Sequence, residues 1–455
     1  MKNLKMKKIF AIIAVSVCCG TVAAQPKYTL EQIMDSARHN NIAIRSAQMG
    51  VEMAQQQRKE AFTKYFPNIS AAGVWFNASK DMAQMTVNPT EMMSPQMLND
   101  LAQVLPSSVV AGLANPMSFS MLKSGIIGTI SAVQPVFAGG QIINGNRLAK
   151  VGEDVSKLQL ELSENQVEKI AERYFWQLAS AQEKLKTIHA AQQFLGDIHK
   201  DVDVAVRAGV AMPNDLLQVQ LRENEIESQR FHAQNTLSLV RMLLTQYCGL
   251  RDTTFFIDYA LLSEESLNSQ LSTFNSQLST VQTLPEYQLL DKQVEAAKLQ
   301  RKMTVGQNLP TVGVGVGYNY HNLLDNDRSF GMVFATVKVP ISDWWGGSHA
   351  IKRKKIEQQR AIEQLEDNTQ LLQIRMQNAW NNVQEAAQQL DIAQRSIDQA
   401  EENLRLNRNY YQAGTCKMSD LLQAQLLYQQ AQDRRTDAFS DYQNKLLEYK
   451  HATGQ

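Results

Sequence analysis

The chain has 455 residues, with 45 Lys and Arg against 45 Asp and Glu, so its formal net charge at pH 7 is zero. This balance gives no basis for binding nucleic acid. The seven histidines are scattered without metal-ligand spacing, no Ser or Cys has the setting of a nucleophile, and no phosphate-binding loop occurs. We therefore expect no enzyme activity, no catalytic residues, no metal and no cofactor.

The N-terminus has the pattern of a secretory signal, residues 1–24. Four lysines precede the apolar run from Ile9 to Val17, and Val22-Ala23-Ala24 fits a cleavage site after Ala24. Cys18 and Cys19 raise a lipoprotein alternative, but Val15-Ser16-Val17 lacks the small residue expected next to a lipidated cysteine. Removal of the four lysines leaves 41 basic residues against 45 acidic ones, a formal charge of −4.

An offset of 205 residues superposes two stretches of the chain, without a gap over 115 positions. Such ungapped self-similarity indicates an internal duplication built from rigid elements. The predicted organisation is a first repeat at residues 25–250, a linker at 251–284 and a second repeat at 285–455. The offset places Pro135, Gly209, Asp215, Leu216, Leu217 and Gly249 on Pro340, Gly414, Asp420, Leu421, Leu422 and Gly454.

Residues 141–208 and 347–413 contain no proline and are rich in Gln, Glu, Lys, Ala and Leu, which predicts two long helices. At 1.5 Å per residue each would extend about 100 Å. Pairs of shorter helices stacked end to end would match that length by coiled-coil packing, with Trp176 and Trp380 in the core. The candidates for these shorter helices are residues 30–64, 215–249, 286–308 and 420–454.

After the leader, no apolar run approaches the roughly 20 residues of a spanning helix, so membrane insertion would require strands. Four strands are predicted, at residues 68–77, 126–135, 311–320 and 331–340. In the third strand, large apolar residues alternate with glycine or asparagine, which gives one face suited to lipid. Its glycines are not followed by the helix start and lysine of a nucleotide-binding loop. Four strands cannot close a barrel that holds a channel, which predicts a trimer or larger assembly. The alternative is two hairpins that cap a soluble helical protein. The predicted lipid-facing residues are Val312, Val314, Val316, Tyr318 and Tyr320.

These features together resemble the TolC family of outer membrane efflux ducts, over the whole mature chain. The resemblance rests on the duplication, the strand starts at Phe66-Pro67 and Leu309-Pro310, and two turns with the spacing Gly-x5-Asp-Leu-Leu. It also rests on two segments that follow strands, Gln134-Pro135-Val136-Phe137-Ala138-Gly139-Gly140 and Val339-Pro340-Ile341-Ser342-Asp343-Trp344-Trp345-Gly346-Gly347.

The resemblance implies a mainly α-helical fold with a membrane β-barrel. Duplicated long-helix hairpins would form an α-helical periplasmic tunnel, and four strands per protomer would contribute to a 12-stranded trimeric barrel in a Gram-negative outer membrane. The implied function is a passive, gated exit duct of a tripartite efflux pump or type I secretion system. Its partners would be two further copies, a periplasmic adaptor, an inner-membrane pump of the resistance-nodulation-division or ABC type, and outer membrane lipid.

The resemblance places the functional site at the two turns, near residues 209–215 and 414–420. Asp420 matches the family's pore-lining acid, whereas Gln423 stands where the best-studied pattern has a second acid. Tyr411 matches a tyrosine that helps hold the closed state by a hydrogen bond to the acid at Asp215. Cys416 replaces an expected basic residue, for which Lys417 is a candidate substitute. The alternative for both aspartates is that each begins a helix. The tip gating and docking set is Gly209, Asp215, Tyr411, Gly414 and Lys417.

The first predicted hairpin is 38 residues longer than the second, which predicts a large extracellular loop. Methionine sulfur can bind Cu(I), but the irregular spacing favours methionine as apolar filler. A periplasmic coiled-coil structural protein without a pore is the alternative function of the whole chain. The loop methionines are Met82, Met85, Met92, Met93, Met97, Met117 and Met121.

Overall fold

The computed structural model describes most of the chain after residue 26. The predicted signal peptide, Cys18, Cys19 and residues 260–280 of the linker lie outside the described residues. The chain divides into two compact units, one of Met1–Met53, Glu153–Gln293 and Ala361–Gln455, the other of Ala54–Gly152 and Val294–Arg360. None of the described helices combines the length and apolar character needed to cross a membrane. The described residues are 27–80, 82–89, 91–113, 115–121, 123–251, 253–259, 281–323 and 326–454.

Four helices form two hairpins, one in each repeat, and each hairpin joins a long helix to a shorter one. Helix α5 has 67 residues and α8 has 70, so each extends about 100 Å, as predicted. The two shorter helices have 36 residues each and end at Gly249 and Gly454, whose φ angles of 66° and 72° stop a helix. The bounds are α5 Gln141–Arg207, α6 Pro213–Cys248, α8 Asp343–Gln412 and α9 Met418–Thr453.

The N-terminal helical stretch is divided at Asn41, whereas the sequence predicted one helix over residues 30–64. Asn41 takes an extended conformation, and its side-chain oxygen accepts a hydrogen bond of 2.8 Å from the Ala43 backbone N–H. Its amide donates to the Tyr247 carbonyl at 3.0 Å, which ties the break to the end of α6. The helices are α1 Leu30–Asn40, α2 Ile42–Thr63 and α7 Pro285–Gln307, and the strands β1 Lys27–Tyr28 and β6 Phe256–Ile257 pair in parallel.

The core of the first unit contains aromatic side chains from both repeats. Trp176 on α5 is buried, as predicted, and packs edge-on against Phe175 and against Phe439 on α9, with ring centroids 5.1 and 5.6 Å away. Trp380 packs on Tyr449 at the margin of the same core. Aromatic pairs of this geometry stabilise beyond the area they bury. The core therefore fixes the two repeats to each other.

The side chain of Glu172 is buried beside this core, and its carboxylate accepts a 3.1 Å hydrogen bond from the Trp176 indole N–H. Burial raises the pKa of the Glu172 carboxyl above its ordinary value of 4.5. The folded protein thus binds a proton more tightly than the unfolded chain, so ionisation of Glu172 lowers stability as pH rises above about 4.5. We expect Glu172→Gln, which keeps the acceptor oxygen, to raise the unfolding temperature at pH 7. Thermal unfolding at several pH values should show this gain disappear toward pH 4.5, and an equal gain at every pH would contradict it.

The second unit contains a four-stranded antiparallel sheet in the order β2-β5-β7-β8. The first predicted strand has the observed bounds, whereas β5 and β7 are longer than predicted. β8 begins five residues before the predicted start and ends two before Pro340, because Pro340 has no N–H for the ladder. The bounds are β2 Asn68–Asn77, β5 Ser124–Ala138, β7 Thr311–Leu323 and β8 Asn326–Lys338.

The two faces of this sheet differ in chemistry. The register places Val316, Tyr318 and Tyr320 beside apolar or small residues of both neighbouring strands, and Val314 between Gln134 and Ala335; all four side chains are exposed. The opposite face holds polar contacts, including a 2.9 Å hydrogen bond from the Thr129 hydroxyl to the Asn319 side chain. The Phe334 ring there lies where a side chain at Gly315 would be. Other exposed side chains on the apolar face are Ile69, Trp75, Ile130, Val333 and Val337.

The long loop between β2 and β5 has secondary structure of its own. It contains an antiparallel strand pair and two short helices. Met82, Met85, Met92, Met97 and Met117 are exposed rather than packed inside the loop, so they do not serve as filler there. The elements are β3 Ala83–Val87, α3 Pro95–Val104, α4 Ser107–Leu113 and β4 Met117–Met121.

Two glycines from different repeats touch at the base of the sheet, where all four strands join helices. Gly139, with φ of 59°, lies in the turn from β5 to α5, and Gly306 lies in the last turn of α7. A Cβ atom on Gly306 would overlap the Gly139 backbone, and one on Gly139 would overlap the Gly306 backbone. Only glycine permits this approach, so the contact fixes the spacing between the β5–α5 turn and α7.

Candidate functional site

The two hairpin turns have the same backbone geometry. Gly209 and Gly414 both have φ of 72°, and their N–H groups bond the carbonyls three residues earlier, at 3.0 Å. The next residues, Val210 and Thr415, bond the carbonyls five residues earlier at 2.9 Å. This pair of bonds defines a Schellman motif, for which glycine is the usual residue at the left-handed position. The duplication therefore preserves one turn structure in both repeats.

Asp215 and Asp420 also occupy equivalent positions, in the first turn of the helix that follows. One oxygen of each carboxylate accepts the backbone N–H of the residue three earlier, Met212 or Lys417, at 3.3 Å. A carboxylate here satisfies a free amide and interacts favourably with the helix dipole. Both aspartates thus begin helices, as the structural alternative stated. This role leaves their charge at the tip.

A small apolar core holds the two tips together. Met418 and Leu421 at the start of α9 are buried against Ile198, Val202 and Val219 of the first hairpin. Tyr411 and Leu216 pack at the edge of this cluster. The side chains that flank Asp420 are therefore anchored in the neighbouring hairpin, so movement of one tip requires this cluster to separate or to move as one body.

The predicted gating residues are brought together only in part. Burial and then the negative charge of Asp215 raise the pKa of Tyr411. Within the described residues, however, the Asp215 carboxylate bonds the Met212 amide and no hydrogen bond joins it to Tyr411. Lys417 forms no ion pair with any other residue that the structure describes. Burial and the charge of Asp420 raise the pKa of the Cys416 thiol, whose sulfur contacts the Asn407 carbonyl at 3.4 Å.

Asp420 and Gln423 share an exposed stripe of α9. The exposed positions continue at intervals of three and four residues, which is the spacing of one helix face. The carboxylate of Asp420 at one end can attract cations, and the next charged side chain along the stripe is Arg434. The predicted lipid-facing residues, Val312 to Tyr320, belong to the other unit. The stripe continues through Leu427, Gln430, Arg434, Asp437 and Asp441.

Exposed apolar side chains at the first tip were not among the predicted site residues. Val210 is 81% exposed, and several neighbours on α5 and α6 are more than half exposed. The signal was present in the repeat, because the second tip has Asn409, Thr415 and Lys417 at the positions of Val204, Val210 and Met212. The first tip alone therefore carries an apolar surface. It consists of Val204, Val210, Met212, Leu217 and Leu221.

The sequence of residues 274–455 matches the outer membrane efflux protein family. This range is 182 of the 455 residues of the chain. This match confirms the predicted resemblance to the TolC family. No curated protein matches the chain in sequence. Because the matched range contains α8, α9 and the turn at Gly414, it includes the second tip.

Crystal structures of outer membrane proteins and channels share the fold of nearly the whole chain. The outer membrane protein VceC of Vibrio cholerae is similar with a TM-score of 0.72 and 15% identity, over 93% of this chain and 96% of that one. The CmeC channel of Campylobacter jejuni gives 0.73 and 13%, over 93% and 85%. The open state of the MtrE channel of Neisseria gonorrhoeae gives 0.68 and 14%, over 93% and 88%. The predicted fold class is confirmed.

Proposed function

We propose that this efflux-family chain is one protomer of a trimeric outer membrane channel-tunnel, which serves as the passive exit duct for small molecules. The observation that carries the proposal is the exposed apolar face of the four-stranded sheet, joined in one chain to two helical hairpins of about 100 Å. Lipid is the natural environment for such a face. The long hairpins suit a path across the periplasm.

Assembly follows from the strand order. β2 and β8 are the edges of the described sheet, and they run in opposite directions, because each of the three pairings between them is antiparallel. The β8 edge of one copy can thus pair with the β2 edge of the next in the same antiparallel pattern. Three copies would supply twelve strands in a closed sheet, which leaves no free edge. The polar face, with Thr129 and Asn319, would then line the interior.

At the tips, three copies of Asp420 would converge on the axis of the duct. Carboxylates in a narrow passage raise the local concentration of cations. The aspartate is fixed by its bond to the Lys417 amide and by the buried residues Met418 and Leu421. Opening would require separation of these tips, with Tyr411 at the contact between the hairpins.

We expect Asp420→Asn to lower the preference of the duct for cations by at least about twofold, because three charges leave the narrowest point. The asparagine keeps an acceptor for the Lys417 amide, so the turn should persist. The measurement is the reversal potential of single trimers in planar bilayers under a salt gradient, together with blockage by multivalent cations.

Asp441→Asn is the matched control, because Asp441 lies on the same exposed stripe about 30 Å further along α9. That distance exceeds the Debye length at physiological salt, so selectivity should stay near that of the unmodified chain. Gln423→Glu should act in the opposite direction and strengthen the cation preference. Unchanged selectivity in Asp420→Asn would remove this residue from the pore.

The apolar surface of the first tip supports docking of a periplasmic adaptor, itself joined to an inner-membrane pump of the resistance-nodulation-division or ABC type. Val210→Cys places a crosslinker on the most exposed of these residues. Capture of an adaptor with a proton-driven pump would support export of small molecules. Capture with an ATP-driven exporter would indicate a type I secretion system. A chain that needs no detergent and captures neither would support a pore-free coiled-coil protein instead.

A further inference from the structure

The helical segments at the base of the sheet are strongly basic. The base is defined here as residues 54–67, 141–152, 294–310 and 341–360, the segments that directly precede β2 and β7 or follow β5 and β8. They contain thirteen Lys and Arg against four Asp and Glu, in a chain whose formal net charge is zero. The segments at the opposite end of the sheet, residues 78–123 and 324–328, contain three Lys and Arg against five Asp and Glu. The positive charge is therefore confined to one end.

Much of this charge is not neutralised inside the fold. Lys354 bonds the Glu357 carboxylate at 2.5 Å, and Arg353 lies 3.8 Å from the same group. Lys352 and Lys355 are exposed and have no ion-pair partner within the described residues. Like charges gathered on one surface repel each other unless anions from outside the chain approach them. The base thus presents a surface that favours an anionic partner.

An aromatic side chain lies on the same helix face as these lysines. Trp345, Lys352 and Lys355 are spaced by seven and three residues on α8, so they form one stripe. Trp345 is 82% exposed, whereas the neighbouring Trp344 is held by a 2.9 Å hydrogen bond from its indole N–H to the Asn308 carbonyl. Tryptophan at the end of a lipid-facing strand set prefers the headgroup region. Tyr65 and Phe66 lie at the corresponding end of β2 and are also exposed.

We propose that the base binds the headgroups of anionic phospholipids in the membrane leaflet nearest the helical hairpins, with Lys352 and Lys355 as phosphate contacts and Trp345 as the interfacial anchor. The proposal rests on the proposed function, because it requires the apolar sheet face to lie in a bilayer. Charge complementarity and direct continuity with that apolar face select lipid over a soluble anion. Basic residues beside a membrane surface attract anionic lipid in this way.

The test uses the full-length trimer in detergent, incubated with equal amounts of phosphatidylglycerol and phosphatidylcholine of the same acyl chains. Native mass spectrometry measures the ratio of the two bound lipids. We expect an excess of phosphatidylglycerol that shrinks at higher ionic strength, since screening weakens exposed charges. Lys352→Gln with Lys355→Gln should lower that excess by at least about fivefold, the contribution of one lysine near an anionic surface.

Two controls keep the outcomes separate. The double variant Lys352→Arg with Lys355→Arg retains the charge and should retain the lipid excess. The double variant Lys80→Gln with Lys123→Gln removes two exposed lysines from the opposite end and should leave the lipid excess unchanged. Equal binding of both lipids by the unmodified chain, or an acidic protein bound at the base in their place, would overturn the inference. Insertion into phosphatidylcholine nanodiscs is measured for every variant. Failure of the unmodified chain to insert would instead refute the proposed function.

Discussion

Gly306→Ala is expected to destabilise the protein by about 1–3 kcal/mol, although alanine is the better helix former. The added methyl group would overlap the Gly139 backbone, which cannot rotate away as a side chain would. Gly139 is itself held at a φ of 59° at the start of α5. The expected observations are a lower unfolding temperature in detergent and, for the proposed trimer, a smaller protease-resistant fraction.

Gly50→Ala is the matched control for this substitution. Gly50 also lies inside a helix, α2, but no atom outside its own helix backbone and its chain neighbours is within 4 Å of the position where a Cβ would be. There the gain in helix propensity is unopposed, so stability should rise by roughly 0.5–1 kcal/mol. If both variants shift the unfolding temperature in the same direction, the glycine contact at the base does not fix the spacing of the two repeats.

Trp176→Ala is expected to cost about 3–5 kcal/mol, the range for truncation of a large buried aromatic residue. The variant loses two edge-to-face ring contacts and leaves the Glu172 carboxylate without its indole donor in a buried site. Because the Phe439 ring belongs to the second repeat, the damage should extend to the packing of α9. Thermal unfolding in detergent measures the loss, and a double-mutant cycle with Phe439→Ala isolates the ring pair.

Trp345→Ala provides the comparison, because it removes the same side chain from an exposed position. Exposed substitutions usually change stability by less than about 0.5 kcal/mol. A loss of stability in Trp345→Ala as large as that in Trp176→Ala would contradict the assignment of Trp176 as the link between repeats.

The repeat and the helix pattern were sufficient to predict the hairpins and their turns. The left-handed turn positions cost least for glycine, and Gly209 and Gly414 occupy them. The helix lengths follow from the absence of proline between the turns and the strands. The break at Asn41 was missed because it depends on a partner, the Tyr247 carbonyl, that is 206 residues away in the sequence. Local propensity cannot register such a contact.

At the candidate site, too, the sequence predicted the turns but not the contacts between distant residues. The turn residues and Asp420 follow from the repeat. The sequence does not show that Asp215 accepts the Met212 amide instead of a hydrogen bond from Tyr411, because this depends on packing between the hairpins. The positive charge at the base of the sheet was only partly visible in the sequence, as the run Lys352-Arg353-Lys354-Lys355, because the fold brings the other three segments to the same end. The contact of Gly139 with Gly306 was hidden for the same reason.

The unpaired outer edges of β2 and β8 have a consequence for how cells must make this protein. An isolated copy exposes two rows of free amide and carbonyl groups beside an apolar sheet surface, a combination that promotes uncontrolled strand pairing. If the chain is exported as proposed, a single copy in the periplasm should therefore precipitate unless a chaperone covers it. Because assembly of the proposed trimer would depend on concentration, low synthesis should leave the chain to proteolysis rather than yield a stable single subunit.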